Sequence, residues 1–247
     1  MMPIYKKFVL SLCILYSSLY ADTARGEIVV GVFNHAPSGQ VQYNSIESVD
    51  IVNTLDFSTA QDVLLKAYIE HSFSPLPNLK LAYNTYLHNG QNLVPNFSWG
   101  KIENFTGTIN NHLSLSFVDT TLYYELLDDW LETDAGVTFR SLSGEMSVKN
   151  RLNDDALSFS TLVPMLYGKM RLNLLDTDIS LQLELNAIAL PSTTSYDYEV
   201  SARYTFSMGL GIEIGYKSFY FKSDNMTKNF DANIDFTGLY TAAIWEF

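Results

Sequence analysis

The sequence predicts an all-β protein, an antiparallel up-and-down transmembrane β-barrel of ten strands. Three observations predict it. Apolar and polar residues alternate strictly in segment after segment. Short turns alternate with long polar connections. The last segment carries an uncharged face that ends on two aromatic residues.

Alternation is cleanest over 178–188. Ile179, Leu181, Leu183, Leu185 and Ala187 share one face; Ser180, Gln182, Glu184 and Asn186 share the other. A period of two is the pattern of a strand with unlike faces. Residues 196–206 and 210–217 repeat it. Further strands are predicted at 26–34, 62–72, 77–87, 112–126, 133–143, 162–174 and 232–247. In 112–126 the apolar phase flips, from Leu113, Leu115 and Phe117 to Leu122, Tyr124 and Leu126. A β-bulge near Asp119 would account for the flip.

Short turns are predicted at 74–77, 128–130, 176–177 and 208–209, and long polar loops at 35–61, 88–111, 144–160 and 223–231. Short periplasmic turns and longer extracellular loops are the rhythm of an outer-membrane barrel. With both termini on the periplasmic side the count is even. The segments sum to ten, with eight or twelve as alternatives if 139–150 is read differently. A soluble sandwich would also alternate, but here the apolar faces are flanked by Tyr124, Trp130, Tyr196, Tyr220 and Trp245. Such aromatics collect at membrane interfaces.

Of 247 residues, 47% are hydrophobic and only 17% are charged, while 14% are aromatic. Residues 1–21 read as a secretory signal, with Lys6 and Lys7 ahead of an apolar run from Phe8 to Leu19. That run falls short of the ~20 residues that span a bilayer. The barrel domain is then 22–247. Cys13 is the only cysteine, so the predicted mature chain has no disulfide. Cleavage removes two positive charges from a net charge of −12, leaving −14. An acidic chain without a basic patch is a poor partner for nucleic acid.

The inward faces carry Lys66, Glu70, Lys80, Glu125, Arg140, Lys169, Arg171, Glu184, Glu199, Arg203, Glu213, Lys217 and Glu246. Seven are basic and six acidic, which suits a lumen closed by paired charges. A barrel of about eight strands has an interior that side chains fill. A narrow channel for ions or small solutes is the alternative.

A rim enzyme acting on lipid or peptide is the third reading. It would draw on His35, His88 and His112 with Ser38, Ser114 or Asp119. No nucleophile motif surrounds these residues, so the chain is read as non-enzymatic. Of the histidines, His88 and His112 stand on adjacent predicted strands and are the pair expected to meet. No metal-ligand spacing recurs, and no cofactor is expected.

Four stretches stand out: Gly31-Val32-Phe33-Asn34-His35-Ala36-Pro37-Ser38-Gly39, Leu122-Tyr123-Tyr124-Glu125-Leu126-Leu127-Asp128, Pro164-Met165-Leu166-Tyr167-Gly168-Lys169 and Gly215-Tyr216-Lys217-Ser218-Phe219. Together they resemble a family of Gram-negative outer-membrane β-barrel proteins of unassigned function. Phe33 stands where that family would have Trp. The resemblance implies a barrel in the outer membrane and no catalytic residues. It also implies that Trp245 and Phe247 serve as the signal read by the barrel-insertion machinery. Outer-membrane lipid, including lipopolysaccharide, is the expected surrounding partner.

Overall fold

The computed structural model describes residues 24–44, 47–73, 75–227 and 229–247. The predicted signal, 1–21, and Ser74 of the first predicted turn lie outside the described residues. In chain order the strands are β1 (Ala24–Tyr43), β2 (Val49–Asp50), β3 (Ala60–His71), β4 (Asn78–Trp99) and β5 (Ile102–Leu127). Then follow β6 (Leu131–Lys149), β7 (Asp154–Asn173), β8 (Ile179–Leu190), β9 (Thr193–Thr205), β10 (Leu210–Thr227) and β11 (Phe230–Glu246).

Ten long strands follow one another as an antiparallel meander, and β11 returns to pair with β1. That closing seam runs from Glu27↔Glu246 to Tyr43↔Phe230 without a break in register. At its base Gly26 and Phe247 exchange both backbone hydrogen bonds, at 2.7 and 2.9 Å. Closure leaves no barrel edge unpaired, which a lipid environment demands. Among the described residues no helix is long and apolar enough to cross a membrane. The two-residue β2 is an extra strand that pairs with the upper part of β1.

The turns follow local chemistry. The β9–β10 connection closes with Phe206 N–H donating to Leu210 O at 2.7 Å. Gly209 there has φ of 75°, a left-handed conformation that glycine adopts without penalty. Asp176 and Asn229 hold the same region in the β7–β8 and β10–β11 turns, as Asx residues tolerate.

Two expectations about the strands need correcting. The predicted long loops at 88–111, 144–160 and 223–231 are mostly strand. β4 and β5, for example, stay in register from Asn78↔Tyr123 out to Val94↔Gly107. Their polar composition reflects the absence of lipid around them, not the absence of pairing.

Nor does β5 bulge near Asp119: its ladders to β4 and β6 run straight through that residue. Leu113, Leu115 and Phe117 point inward, while Val118, Leu122 and Tyr124 point outward. The phase flips because the environment does. Inside, the chain passes from an apolar core to a charged lumen; outside, it passes from water to lipid.

The outward faces carry an apolar belt. It includes Val30 and Val32 of β1, Val63 and Leu65 of β3, Leu181, Leu183 and Leu185 of β8, and Ile212 and Ile214 of β10. An exposed apolar surface of this extent marks a contact with membrane. Above the belt, the upper parts of β1, β4–β7, β10 and β11 project as an extension with its own hydrophobic core. Val41, Leu113, Leu115, Met146, Phe221, Phe230 and Ile234 fill it. The void left between them is about 10 Å³. That is at the lower limit of what one water needs.

Candidate functional site: a doubly closed lumen

Inside the belt, the barrel is crossed by a chain of ion pairs. Lys66 of β3 bonds Glu199 of β9 across the lumen. Glu199 also accepts from Lys217 at 2.7 Å, and Lys217 donates to Asp197 at 2.8 Å. Arg140 of β6 donates to Asp197 at 2.7 Å and holds Asp119 of β5 with two bonds, at 2.8 and 2.6 Å. Alternating signs thus run from β3 to β5 through the centre. Each of these side chains is nearly inaccessible to water. Burying such ions is costly unless each is paired.

Further pairs thicken the layer. Glu184 bonds Lys80 and accepts from the Tyr68 hydroxyl at 2.7 Å. Arg203 contacts Glu27 at 2.8 Å and Glu213 at 3.3 Å. Lys169 sits 2.7 Å from Asp134. Arg171 bridges Glu27 and Glu132 nearer the mouth that carries the chain ends.

Ten of the thirteen predicted residues thus sit in ion pairs inside the wall, in separate groups: Lys66, Glu199, Lys217 and Arg140 in one chain, Lys80 with Glu184, Lys169 with Asp134, and Arg171 and Arg203 sharing Glu27, with Glu213 on Arg203. Glu70, Glu125 and Glu246 stand apart from these. They line an open vestibule of about 420 Å³ at the mouth where Gly26 and Phe247 meet. Glu125 lies past the last β4–β5 pair, Asn78↔Tyr123, outside the membrane-spanning part; partial burial there, then the nearby charge of Glu70, push its carboxyl up to about 7.

Sequence reasoning missed several acidic partners: Glu27, Asp119, Glu132, Asp134 and Asp197. Their parity was the available signal. Asp197 alternates in phase with Glu199 and Arg203, and Glu27 with Val29 and Phe33.

Above the ions lies an aromatic layer of Phe33, Tyr86, Phe117, Phe219 and Phe236, all buried. Arg140 joins the two layers, its guanidinium carbon 3.7 Å from the Phe117 ring centre. Such a contact combines cation–π attraction with packing.

The first predicted loop completes this upper closure. Residues 49–58 fold inward as a plug, with Ile51, Leu55 and Phe57 almost wholly buried. Asp50 starts the plug's turn by accepting from the amides of Val52 and Asn53, at 2.9 and 2.7 Å. The Asn53 amide holds the Asp50 carboxyl below the usual carboxylate range.

Room for the plug exists because β3 and β4 pair only from Ile69↔Leu79 to Leu64↔Asn84. Above that, Asp62 takes over, accepting from Leu87 N–H at 2.8 Å. Asn92 donates to the carbonyls of Asn53 and Thr54, and Asn111 donates to that of Leu55 at 2.8 Å.

The histidines meet differently from expectation. His112 faces away from His88 and bonds Asn89 at 2.8 Å. It is His35 and His88 that come together, with ring centres 5.0 Å apart. They sit two strands apart, brought in by the barrel's curvature. His35 Nε2 is 3.0 Å from Asp62 Oδ2, and His88 Nδ1 donates to the Ser58 carbonyl at 2.9 Å. Both rings are sealed from solvent.

β4 leaves the apolar belt at Leu87, since its next outward residues are Asn89 and Gln91. His88 thus lies outside the membrane-spanning part. Burial, then the neighbouring His35, lower its pKa to about 4.

Ser38 is exposed and Ser114 faces outward, so neither approaches the His35–Asp62 pair. Asp119 is held by Arg140. Among the described residues no group of three or more His, Cys, Asp or Glu could hold a metal ion.

No family model and no curated protein matches the chain. Solved structures do. Outer membrane protease OmpT from Escherichia coli aligns over 92% of this chain and 96% of its own, at 13% identity and TM-score 0.52. The translocator domain of autotransporter NalP from Neisseria meningitidis covers 98% of each chain, at 12% identity and TM-score 0.44. Ail of Yersinia pestis, solved with the heparin analogue sucrose octasulfate, covers 91% of this chain and 99% of its own, at 8% identity and TM-score 0.39. At such identities the likeness speaks to fold alone. With the apolar belt and the closed meander, the fold is that of an outer-membrane β-barrel.

Proposed function

We propose that this protein is a non-conducting outer-membrane barrel, with a structural role or a surface-interaction role exerted through its extracellular extension. The observation that carries the reading is the double closure of the lumen. Ion pairs cross it at Lys66, Glu199, Lys217, Asp197 and Arg140, and the 49–58 plug and an apolar core fill it above. The extension is the part offered to the exterior. On this reading both termini are periplasmic, the outer belt contacts membrane lipid, and the rim meets lipopolysaccharide. Trp245 and Phe247 then act as the assembly signal at the inner interface. The chain catalyses nothing on this reading, because its His–Asp pair is sealed beneath the plug.

Reconstitution into planar bilayers tests the proposal. Negligible single-channel conductance is expected over a wide voltage range. Steady, reproducible openings would favour the alternative, a narrow channel for ions or small solutes.

A further inference from the structure

The plug and the histidine beneath it form one mechanical unit. His88 must keep its proton on Nδ1 to donate to the Ser58 carbonyl at 2.9 Å. Its other nitrogen, Nε2, is buried without a partner, as is Nδ1 of His35. The plug's Phe57 packs on the same imidazole, with ring centres 5.9 Å apart, and Phe236 of β11 stacks on it at 5.5 Å. A second proton on His88 would therefore create a buried cation whose new N–H meets no carboxylate in the docked arrangement.

We propose that the 49–58 segment is an acid-releasable plug, latched to the barrel by neutral His88 and loosened when that ring takes up a proton.

The ionisable groups facing His88 are few. His35 of β1 offers no negative charge. Asp62 of β3 is the one carboxylate near, and it is engaged by His35, by Leu87 N–H and by Thr85 at 3.4 Å. On β4 itself Tyr86 is buried with an unpartnered hydroxyl. Phe57 of the plug, Phe236 of β11 and Asn111 of β5 carry no charge. None of these is free to neutralise an imidazolium.

The sign follows from linkage. With the plug docked, His88 has its pKa lowered from 6.5 to about 4. A base with a depressed pKa in the closed state binds its proton better when open. Docking is therefore fully favoured above 6.5 and is lost progressively as pH falls from there toward 4. Between pH 7.5 and pH 5 the open population should rise ~30-fold. Opening bares the His35–His88 layer to the outside, while the ion pairs below keep the lumen shut.

Spin labels test this in the full chain reconstituted in nanodiscs, with Cys13→Ser, Asn53→Cys on the plug and Ser158→Cys on β7. Double electron–electron resonance should show a second, displaced distance population growing ~30-fold from pH 7.5 to pH 5. In the added His88→Asn variant, whose amide can still donate to Ser58, growth should stay below ~3-fold. Equal growth in both proteins, or none in the parent, overturns the proposal. Should His88→Asn fail to assemble, histidine-selective NMR of the parent decides. The plug population and His88 protonation must share one midpoint. A ring that protonates while the plug stays docked overturns the proposal equally well.

Discussion

Arg140 on β6 and Asp197 on β9 meet at 2.7 Å in the middle of the lumen, although three strand crossings separate them along the wall. Asp119 holds the other edge of the same guanidinium. The pair ties opposite walls together where lipid on the outside supplies no cohesive force. It also blocks the path that a channel would need.

Breaking it should be expensive. Arg140→Met leaves Asp119 stranded and removes one partner of Asp197. We expect a loss of ~3–5 kcal/mol in urea unfolding from vesicles, the cost of an uncompensated buried charge. Adding Asp119→Asn and Asp197→Asn should recover most of it, because Lys217 keeps Glu199 as its partner. A triple variant no more stable than Arg140→Met would contradict this account.

Gly90 tests the plug by shape alone. A Cβ at that position would lie 2.0 Å from Leu55 O and 2.7 Å from Asp56 O. Both atoms are backbone, so neither can swing aside. Gly90→Ala should displace the plug at a cost of ~1–3 kcal/mol, the range for overpacking. Protease cleavage within 51–59 should accelerate by ~5-fold to ~150-fold if docking weakens by that much. Heat-modifiable migration of the barrel should be unchanged. Unaltered cleavage would mean that the segment does not rest on Gly90.

The barrel was legible because its signal is periodic and global. Ten segments alternate, and closure of the last on residues 26–34 follows from the need to leave no edge. The ion-pair residues on one strand parity were legible for the same reason. Their pairing was not, since Lys66 and Glu199 are neighbours only once curvature brings β3 and β9 face to face. The extension was misread as loops: strands whose outer side meets water lose the apolar outer face that marks a membrane strand. The plug and the His35–Asp62–His88 meeting were invisible, because a loop's inward fold leaves no periodic trace. Ile51, Leu55 and Phe57 in an otherwise polar stretch were the one hint.

The extension's core predicts local instability without barrel loss. Trp99 is fully buried and packs edge-on against Tyr43, 5.4 Å away, and Phe230, 6.5 Å away. Trp99→Ala should cost ~3–5 kcal/mol within the extension. Hydrogen exchange should then accelerate along the outer β4–β5 hairpin, while amides of 78–87 inside the belt stay protected. Loss of protection in both regions would show that extension and barrel unfold as one unit.

Glu125 offers a pH test at the opposite end. It lies in the open vestibule beside the chain ends, where partial burial and the charge of Glu70 push it up to about 7 from 4.5. A carboxyl with a raised pKa favours the folded state while protonated. Its contribution is present below 4.5 and is lost as pH rises through 7. Glu125→Gln keeps the neutral form at every pH. The variant should match the parent at pH 4 and exceed it at pH 8, with the difference opening mainly between 4.5 and 7. Because the side chain is largely exposed, the gain should not exceed ~1 kcal/mol. Urea titrations in vesicles across that range measure it. A gain independent of pH would assign the effect to packing, and a loss at pH 8 would mean that ionised Glu125 is held by a cation of the vestibule such as Arg25.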